Sequence, residues 1–387
     1  MLAIGGYIGV VGKVVDDEPQ TMGQHAARIS FDTRKVDPDF MLAFLSSQSG
    51  AMLCQRYVSG GVQVGINLED IREIRVLVPS QKVQHAIGNK LRKAERLREV
   101  TERQWHSARQ FLENSLLLTL SAEIFERFVP KSINCSNYHC VNVDPAICWA
   151  RVNSALGSQY YHPRRIHAQQ LIVRSGHWTT LNKVAVRARE RKPGQGKSPG
   201  QIVGLDQIDS RLGVISEGNS EVWEDGGPQV SFRPKSILFS RLRPYLNKVA
   251  IWPDSRGVGF GSGELLVYES NGAIDPDYLF FILKSPLGLY QVLDTTAGST
   301  LPRVEAEIVD DIVIPRLDPK IEQQIGQYVR DAHEAWYLAS TLIPAAKADV
   351  EALIDGTLNE SALLTEGEEI ERWLKENPSP YPKERSA

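Results

Sequence analysis

The feature that most constrains this 387-residue chain is that it contains one of its own segments twice. The run Val36-Asp37-Pro38-Asp39-Phe40 leads into an apolar stretch and then Gly60-Gly61. The strand-like Val76-Leu77-Val78-Pro79 follows, and a long helical pattern opens at Lys82. The same order returns as Ile274-Asp275-Pro276-Asp277-Tyr278, then Gly298, then Ile312-Val313-Ile314-Pro315, then Lys320. Asp37 corresponds to Asp275, Gly60 to Gly298 and Gly88 to Gly326, each at an offset of 238 residues (275 less 37), although the turn after the strand proline is two residues longer in the second copy. A chain of this length exceeds one ordinary core, and a repeat of this size predicts duplicated structural units.

Each copy ends in a striped helix. Apolar positions at Val83, Ile87, Leu91, Ala94, Leu97, Thr101, Trp105, Ala108 and Leu112 recur every three or four residues. The second stripe holds Ile321, Ile325, Tyr328, Ala332, Trp336, Ala339 and Ile343. Stripes this long and narrow predict a coiled-coil seam. Pro344 is expected to kink or interrupt the second helix. The spacing predicts a helix from Asp37 to Leu53, with Pro38 in its first turn, and a strand from Ile71 to Val78 ending at Pro79. Residues 1–79 read as half a domain, 80–120 as the first long helix and 121–155 as a linker. Residues 156–316 read as a whole α+β domain with strands near Gln170–Arg174, Gln201–Leu205, Gln229–Phe232, Ser236–Ser240, Lys248–Trp252 and Glu264–Glu269. Residues 317–356 are the second long helix, and the acidic, proline-containing tail 357–387 is expected to be disordered.

Composition excludes several classes. No apolar run approaches the ~18 residues of a membrane helix, and the start has no basic-then-apolar leader. Four cysteines in so long a chain make no disulfide framework, so a cytoplasmic, reduced protein is expected. Cys135, His139, Cys140 and Cys148 lack the paired short spacings of a zinc site. The glycine run Gly257–Gly263 precedes a strand-like segment rather than a helix, so it does not fit a dinucleotide or S-adenosylmethionine loop. Asn377-Pro378-Ser379-Pro380-Tyr381 is an interrupted likeness of an adenine-methyltransferase motif within the tail. No phosphate-binding Walker loop, metalloprotease motif or nucleophile elbow is present.

The net charge of −3 gives no global sign of a polyanion partner, but its distribution does. Between 156 and 200 there are nine Lys or Arg against Glu190 alone. Lys183, Arg187, Arg189, Arg191, Lys192 and Lys197 form the densest stretch, and such a loop suits phosphate contacts. Arg241, Arg243 and Tyr245, within Ser240-Arg241-Leu242-Arg243-Pro244-Tyr245, combine guanidinium groups with an aromatic ring. Ser299, Thr300 and Arg303 beside Gly298 add further donors.

The order half-domain, striped helix, whole domain, striped helix resembles the specificity subunit of type I restriction-modification enzymes. The residues that carry the resemblance are Gly298-Ser299-Thr300-Leu301-Pro302, Ile312-Val313-Ile314-Pro315 and Lys320-Ile321-Glu322-Gln323-Gln324-Ile325, with a weaker twin at Gly60-Gly61, Val76–Pro79 and Gln84. The resemblance spans roughly residues 1 to 355. It implies two target-recognition domains alternating with two long helices paired as an antiparallel coiled coil. On this reading the first domain is expected to be shortened at its N-terminus: Lys13 aligns near Lys248, and about 90 residues upstream of Arg243 have no counterpart in the first copy. The resemblance further implies a non-catalytic chain that reads part of a bipartite site on double-stranded DNA. Its helices would dock methyltransferase subunits and a restriction motor, through Leu91, Leu97, Trp105, Ile325 and Trp336. S-adenosylmethionine, ATP and Mg would belong to those partners, with no cofactor or metal in this chain. Two rival readings are a protein–protein scaffold built on the helix pair and a self-contained methyltransferase or nuclease.

Overall fold

In a computed structural model of the chain, residues 2–3, 8–14, 21–58, 65–117, 162–188, 191–192, 201–216, 229–298 and 300–378 are described. Cys135, His139, Cys140, Cys148, Gly60, Gly61, Pro380 and Tyr381 lie outside them. The chain divides into two compact units, Met1–Glu102 with Glu334–Ala387, and Arg103–His333. The division falls inside both striped helices, so each unit is built on a segment of each.

The first unit opens with the antiparallel pair β1 (Leu2–Ala3) and β2 (Ala26–Ala27). Next come α1 (Pro38–Ser46), α2 (Gln48–Gln55) and α3 (Leu68–Arg72). The helix expected over Asp37–Leu53 is thus two helices, broken at the extended residue Ser47. α1 begins at Pro38 because the Asp37 carboxylate accepts from the N–H groups of Asp39 and Phe40. The strand expected over Ile71–Val78 does not form: α3 runs to Arg72, and residues 74–80 have no strand partner among the described residues. The first striped helix is α4 (Gln81–Leu116), about 54 Å long at ~1.5 Å per residue.

The second unit continues with α5 (Pro163–Arg174), β3 (Trp178–Thr180), α6 (Leu181–Val184), β4 (Ala185–Arg187), β5 (Arg191–Lys192), β6 (Gln201–Val203) and β7 (Gln229–Phe232). Then follow β8 (Ile237–Ser240), β9 (Val249–Ile251), β10 (Gly259–Ser262) and β11 (Leu265–Ser270). α7 (Pro276–Lys284), α8 (Pro286–Leu289), β12 (Thr296–Ala297), β13 (Arg303–Val304), α9 (Ala306–Asp310) and β14 (Val313–Pro315) complete it. The run Gln170–Arg174, expected as a strand, is the end of α5. Pro163 starts that helix and Ile166, Ala168 and Ile172 bury one face.

Two four-stranded sheets, ordered β4-β11-β8-β9 and β5-β7-β10-β6, are antiparallel except for β10 against β6. The alternation along the first sheet decides what each face meets. Ile237, Phe239, Val249, Ile251, Leu266 and Tyr268 pack with α5, α7 and the long-helix residues Ala108, Leu112, Ile325 and Val329. Leu238, Ala250, Leu265 and Val267 point the other way, into a core with Val203, Val230, Phe232 and Trp252. The glycine run lies on β10, where a Cβ on Gly259 would sit 2.2 Å from the Phe232 ring. Glycine serves close packing there.

The second striped helix is α10 (Pro319–Ile354), and it continues through Pro344 without interruption. Burial of Leu342, Ala346 and Val350 on either side of Pro344 holds the helix together where local propensity opposes it. In the first unit, Ala94 and Leu97 of α4 pack on Ala335, Ala339 and Leu342 of α10, while Val83 and Ile87 share a core with Ala346 and Val350. In the second unit, Trp105 stacks on His333 and Phe111 meets Tyr328 edge-on. Within each unit the helices therefore run antiparallel. The tail also departs from expectation, since Glu360–Glu376 forms a helix, α11. Leu363 and Ile370 are buried, and Gly367 lets the helix close on α4, where a Cβ would lie 2.7 Å from that of Ala86. Lys90, itself buried, joins Asp349 at 2.6 Å and Glu366 at 2.9 Å, tying α4, α10 and α11.

The repeat is visible atom by atom. Arg92 of α4 contacts Asp37 at 3.1 Å and Asp39 at 2.7 Å. Arg330 of α10 contacts Asp275 and Asp277 at the same two distances. Gly88 and Gly326, one turn earlier, leave room for the capping carboxylates. A lysine completes each cluster, Lys13 on Asp39 at 2.6 Å and Lys235 on Asp277 at 3.1 Å. The structural counterpart of Lys13 is therefore Lys235, not Lys248, whose ammonium donates to the Leu205 carbonyl.

Candidate nucleic-acid interface

Two of the loops singled out in the sequence lie side by side in the second unit. The first follows β8 and the second lies between β12 and β13. The Arg243 N–H donates to the Pro302 carbonyl at 2.8 Å, and the Val304 N–H to the Arg241 carbonyl at 3.0 Å. Leu242 and Arg303 form an isolated bridge between them. The second loop turns at Gly298, whose φ of +93° a side chain would oppose.

The first loop is strained and firmly held. Arg243 (φ 48°, ψ 60°) and Asn247 (φ 49°, ψ 42°) both adopt left-handed conformations, flanking the short 3₁₀ turn Pro244–Leu246. Such residues cost of order 1–3 kcal/mol each and persist where surrounding contacts enforce them. Here Asn247 donates through Nδ2 to the Lys284 carbonyl, and the Lys284 ammonium donates to the carbonyls of Asn247 at 2.6 Å and Asp209 at 3.2 Å. Burial lowers the Lys284 pKa to about 7, against the pull of Asp209 and with help from Lys248. Tyr245 is 53% exposed at the tip, with Leu246, Thr300 and Leu301 exposed nearby.

The arginines divide into committed and available groups. Arg303 makes a two-pronged pair with Glu264, Nε at 2.9 Å and Nη2 at 2.8 Å, which raises its pKa. Its guanidinium is held on that carboxylate. Arg187 lies 3.4 Å from Asp310 and 3.7 Å from Glu307, beside the Tyr268 hydroxyl that donates to Asp310. It braces β4 against α9. Arg241 approaches Glu264 at 3.9 Å, while its Nε and that of Arg243 are buried without a hydrogen-bond partner among the described residues. A cleft of about 330 Å³ is lined by Arg187, Arg241, Glu305 and Glu307, among others.

The remaining sequence candidates scatter. Lys183 is exposed on α6, its carbonyl accepting from Asn271 Nδ2. Arg191 and Lys192 form β5 on the edge of the second sheet. Arg189, Lys197 and Ser299 lie outside the described residues. Within the counted excess of positive charge, Arg165 is fully buried and donates to the Gln291 and Ile308 carbonyls, and Arg164 pairs with Asp294. Linear charge density therefore overstates the surface charge.

The residues assigned to partner docking are likewise redistributed. Leu91, Leu97 and Ile325 are buried in cores of this chain, and Trp105 packs edge-on against Phe281 at 5.1 Å. Those four pack within this chain, Trp105 only partly buried, while Trp336 is half-buried beside Tyr337 at 5.2 Å. Sequence reasoning missed Lys284, Asn247 and His333. His333 donates from Nε2 to the Leu212 carbonyl at 2.9 Å, and burial lowers its pKa to about 4. The spacing of the apolar stripe could have placed it inward, since it neighbours Ala332. Among the described residues there is no cluster of side chains able to hold a metal and no helix long and apolar enough to cross a membrane.

The fold and this site define a class: an α+β chain each of whose units is built on antiparallel segments of two long helices, with an arginine- and tyrosine-bearing loop pair in the second unit. Among solved structures, the chain is similar to the S subunit of the type I restriction-modification system of M. genitalium. Identity is 15%, covering 95% of this chain and 81% of that one, with a TM-score of 0.31. It is also similar to a chain from a structure describing complex assembly and conformational transition of the type I R-M system, at 12% identity, 87% and 72% coverage, and a TM-score of 0.32. The HsdS subunit from Thermoanaerobacter tengcongensis aligns at 11% identity, with 85% and 73% coverage and a TM-score of 0.30. These are subunits of the family that the sequence resembles. No protein-family model and no curated protein matches the chain.

Proposed function

We propose that the second unit reads duplex DNA through the paired loops at Arg241–Asn247 and Gly298–Arg303, as the specificity chain of a type I restriction-modification complex. The observation that carries this reading is the Arg243–Tyr245 turn. Arg243 and Asn247 are both left-handed; the Arg243 N–H donates to the Pro302 carbonyl, Asn247 exchanges two hydrogen bonds with Lys284, and the ring of Tyr245 is exposed between them. Arg can grip a phosphate or read the O6/N7 edge of guanine, and a fixed turn delivers it with little ordering cost. Lys183 adds a more general phosphate contact.

In this reading the chain does no chemistry. Methyltransferase subunits bring S-adenosylmethionine, and a restriction motor brings ATP and Mg. They dock on outward faces of the helices, where Trp336 and the exposed Leu338 lie, because the inward stripes are occupied. The test is a gel shift of purified chain, alone and with its methyltransferase partner, on random duplex at low salt. A shift that is weakened at least tenfold in Arg243→Ala/Tyr245→Ala is expected. No shift in either condition contradicts the reading.

A further inference from the structure

The hold on the Arg243–Tyr245 turn reaches deeper than the loop itself. Lys284, the last residue of α7, is 3% exposed, yet its ammonium binds carbonyls from two segments far apart in the chain. The Asn247 carbonyl, at 2.6 Å, closes the strained turn, and the Asp209 carbonyl, at 3.2 Å, belongs to a second turn after β6. That second turn is itself fixed. The Asp209 carboxylate accepts from the Arg211 and Leu212 N–H groups, and His333 of α10 donates to the Leu212 carbonyl. Gly213 (φ +68°) completes it where a Cβ would meet the Val249 carbonyl and the Phe280 ring. The ammonium therefore ties the strained turn to a rigid one.

The repeat shows that the helix does not need this cation. α1 and α7 each span nine residues and each stops at a serine, Ser47 and Ser285. At the place of Lys284 the first copy has Ser46, whose hydroxyl donates to the Leu42 carbonyl of its own helix. Burying an ammonium costs free energy unless its donors are used. Here they are used on Asn247 and Asp209.

We infer that Lys284 is a positioning residue of the DNA-reading turn: its charge, rather than the packing of its stem, keeps Arg243 and Tyr245 presented, and loss of its proton loosens the turn and weakens DNA binding. This rests on the DNA-reading role proposed for that turn. The groups around the ammonium set where the proton leaves. Burial brings its pKa to about 7, with Asp209 favouring the charge and Lys248 opposing it, while His333, neutral down to about 4, adds no charge above that. The neutral amine keeps two N–H donors but loses charge assistance, which makes such bonds roughly twice as strong. The unfolded chain holds this proton up to 10.5, so the stability of the second unit rises above pH 7. The hold on the turn weakens over the same range. Stability and affinity thus move in opposite directions, which packing alone does not produce.

Hydrogen exchange and fluorescence anisotropy on the full chain test this at about pH 6 and about pH 8.5, with a random duplex at low salt as the probe. The Leu246, Asn247 and Val249 amides are all hydrogen-bonded within the turn. Their protection, corrected for the intrinsic exchange rate, should fall about tenfold at the higher pH, and duplex affinity by a similar factor, while the urea midpoint of the second unit rises. Lys284→Met keeps the stem and has no proton to lose, so it should show the weaker protection and affinity at both pH values. If that variant does not fold, the comparison of the unaltered chain at the two pH values still decides. Protection that is unchanged with pH, or that falls equally in Lys284→Met, overturns the inference. So does an affinity that stays constant or rises with the urea midpoint. Protection that falls as stated in a chain that binds no duplex at either pH supports the clamp and overturns the DNA-reading role instead.

Discussion

Arg92 and Arg330 are the residues around which the two copies of the repeat are built. Each bridges two aspartates that are largely buried, one of them a helix cap. Removing either arginine leaves carboxylates facing only a lysine, at a cost between those of exposed and buried pairs, about 2–3 kcal/mol. Arg330→Ala should therefore lower the urea midpoint of the second unit and leave that of the first in place, and Arg92→Ala should do the reverse. His333 and Lys284 make the second unit pH-sensitive in a defined direction. Unfolded His333 takes a proton below about 6.5, but folded only below about 4. Its contribution is complete above pH 6.5 and is lost as the pH falls towards 4, at ~1.4 kcal/mol per unit. Lys284 holds its proton up to 10.5 when unfolded but only to about 7 when folded. Stability of the second unit should accordingly also rise between those values, as the buried charge is relieved. Urea midpoints measured across pH check both limbs, and His333→Phe should flatten the lower one. The burial of Lys284 had no local mark in the sequence, whereas that of His333 could be read only from its place beside Ala332 in the apolar stripe.

At the level of elements, the striped helices, the Asp-Pro-Asp caps and the β14 strand could all be read directly, since each depends on periodicity or on capping within a few residues. The failures at Pro344 and in the tail share a physical cause, which is that tertiary burial overrode local preference; the strand expected over Ile71–Val78 failed for the opposite reason, since Val76, Leu77 and Val78 find nothing to pack on among the described residues. Pro344 sits inside α10 because the packed stripe continues on both sides of it. Pro344→Ala should raise the melting temperature of the first unit, as up to ~3 kcal/mol of helix penalty is removed. α11 looked like an acidic tail, yet Leu363, Gly367 and Ile370 recur at helical steps and bury against α4. Truncation after Gly356 should strand the buried Lys90 with Asp349 alone and destabilise the first unit, as followed by thermal denaturation. Leu97→Asp belongs with it: that residue is 5% exposed in an intrachain core, so the variant should lose several kcal/mol of stability rather than merely release a partner.

For the molecule as a whole, the duplicated order was the most reliable signal in the sequence and the count of basic residues the least. Of the nine Lys and Arg between 156 and 200, Arg165 is interior, and Arg164 and Arg187 face carboxylates. The loop pair at Arg243 and Thr300 was named residue by residue, but only the fold could place its halves together. The central claim is that this pair, and above all the Arg243–Tyr245 turn, meets the DNA backbone and bases. The most direct measurement is the affinity of the chain for a random duplex as a function of salt, by fluorescence anisotropy, beside Arg243→Ala and the ion-paired control Arg303→Ala. A phosphate contact at Arg243 predicts a log–log slope shallower by about one in Arg243→Ala and little changed in Arg303→Ala. Identical slopes in all three proteins, or no salt dependence at all, would contradict it.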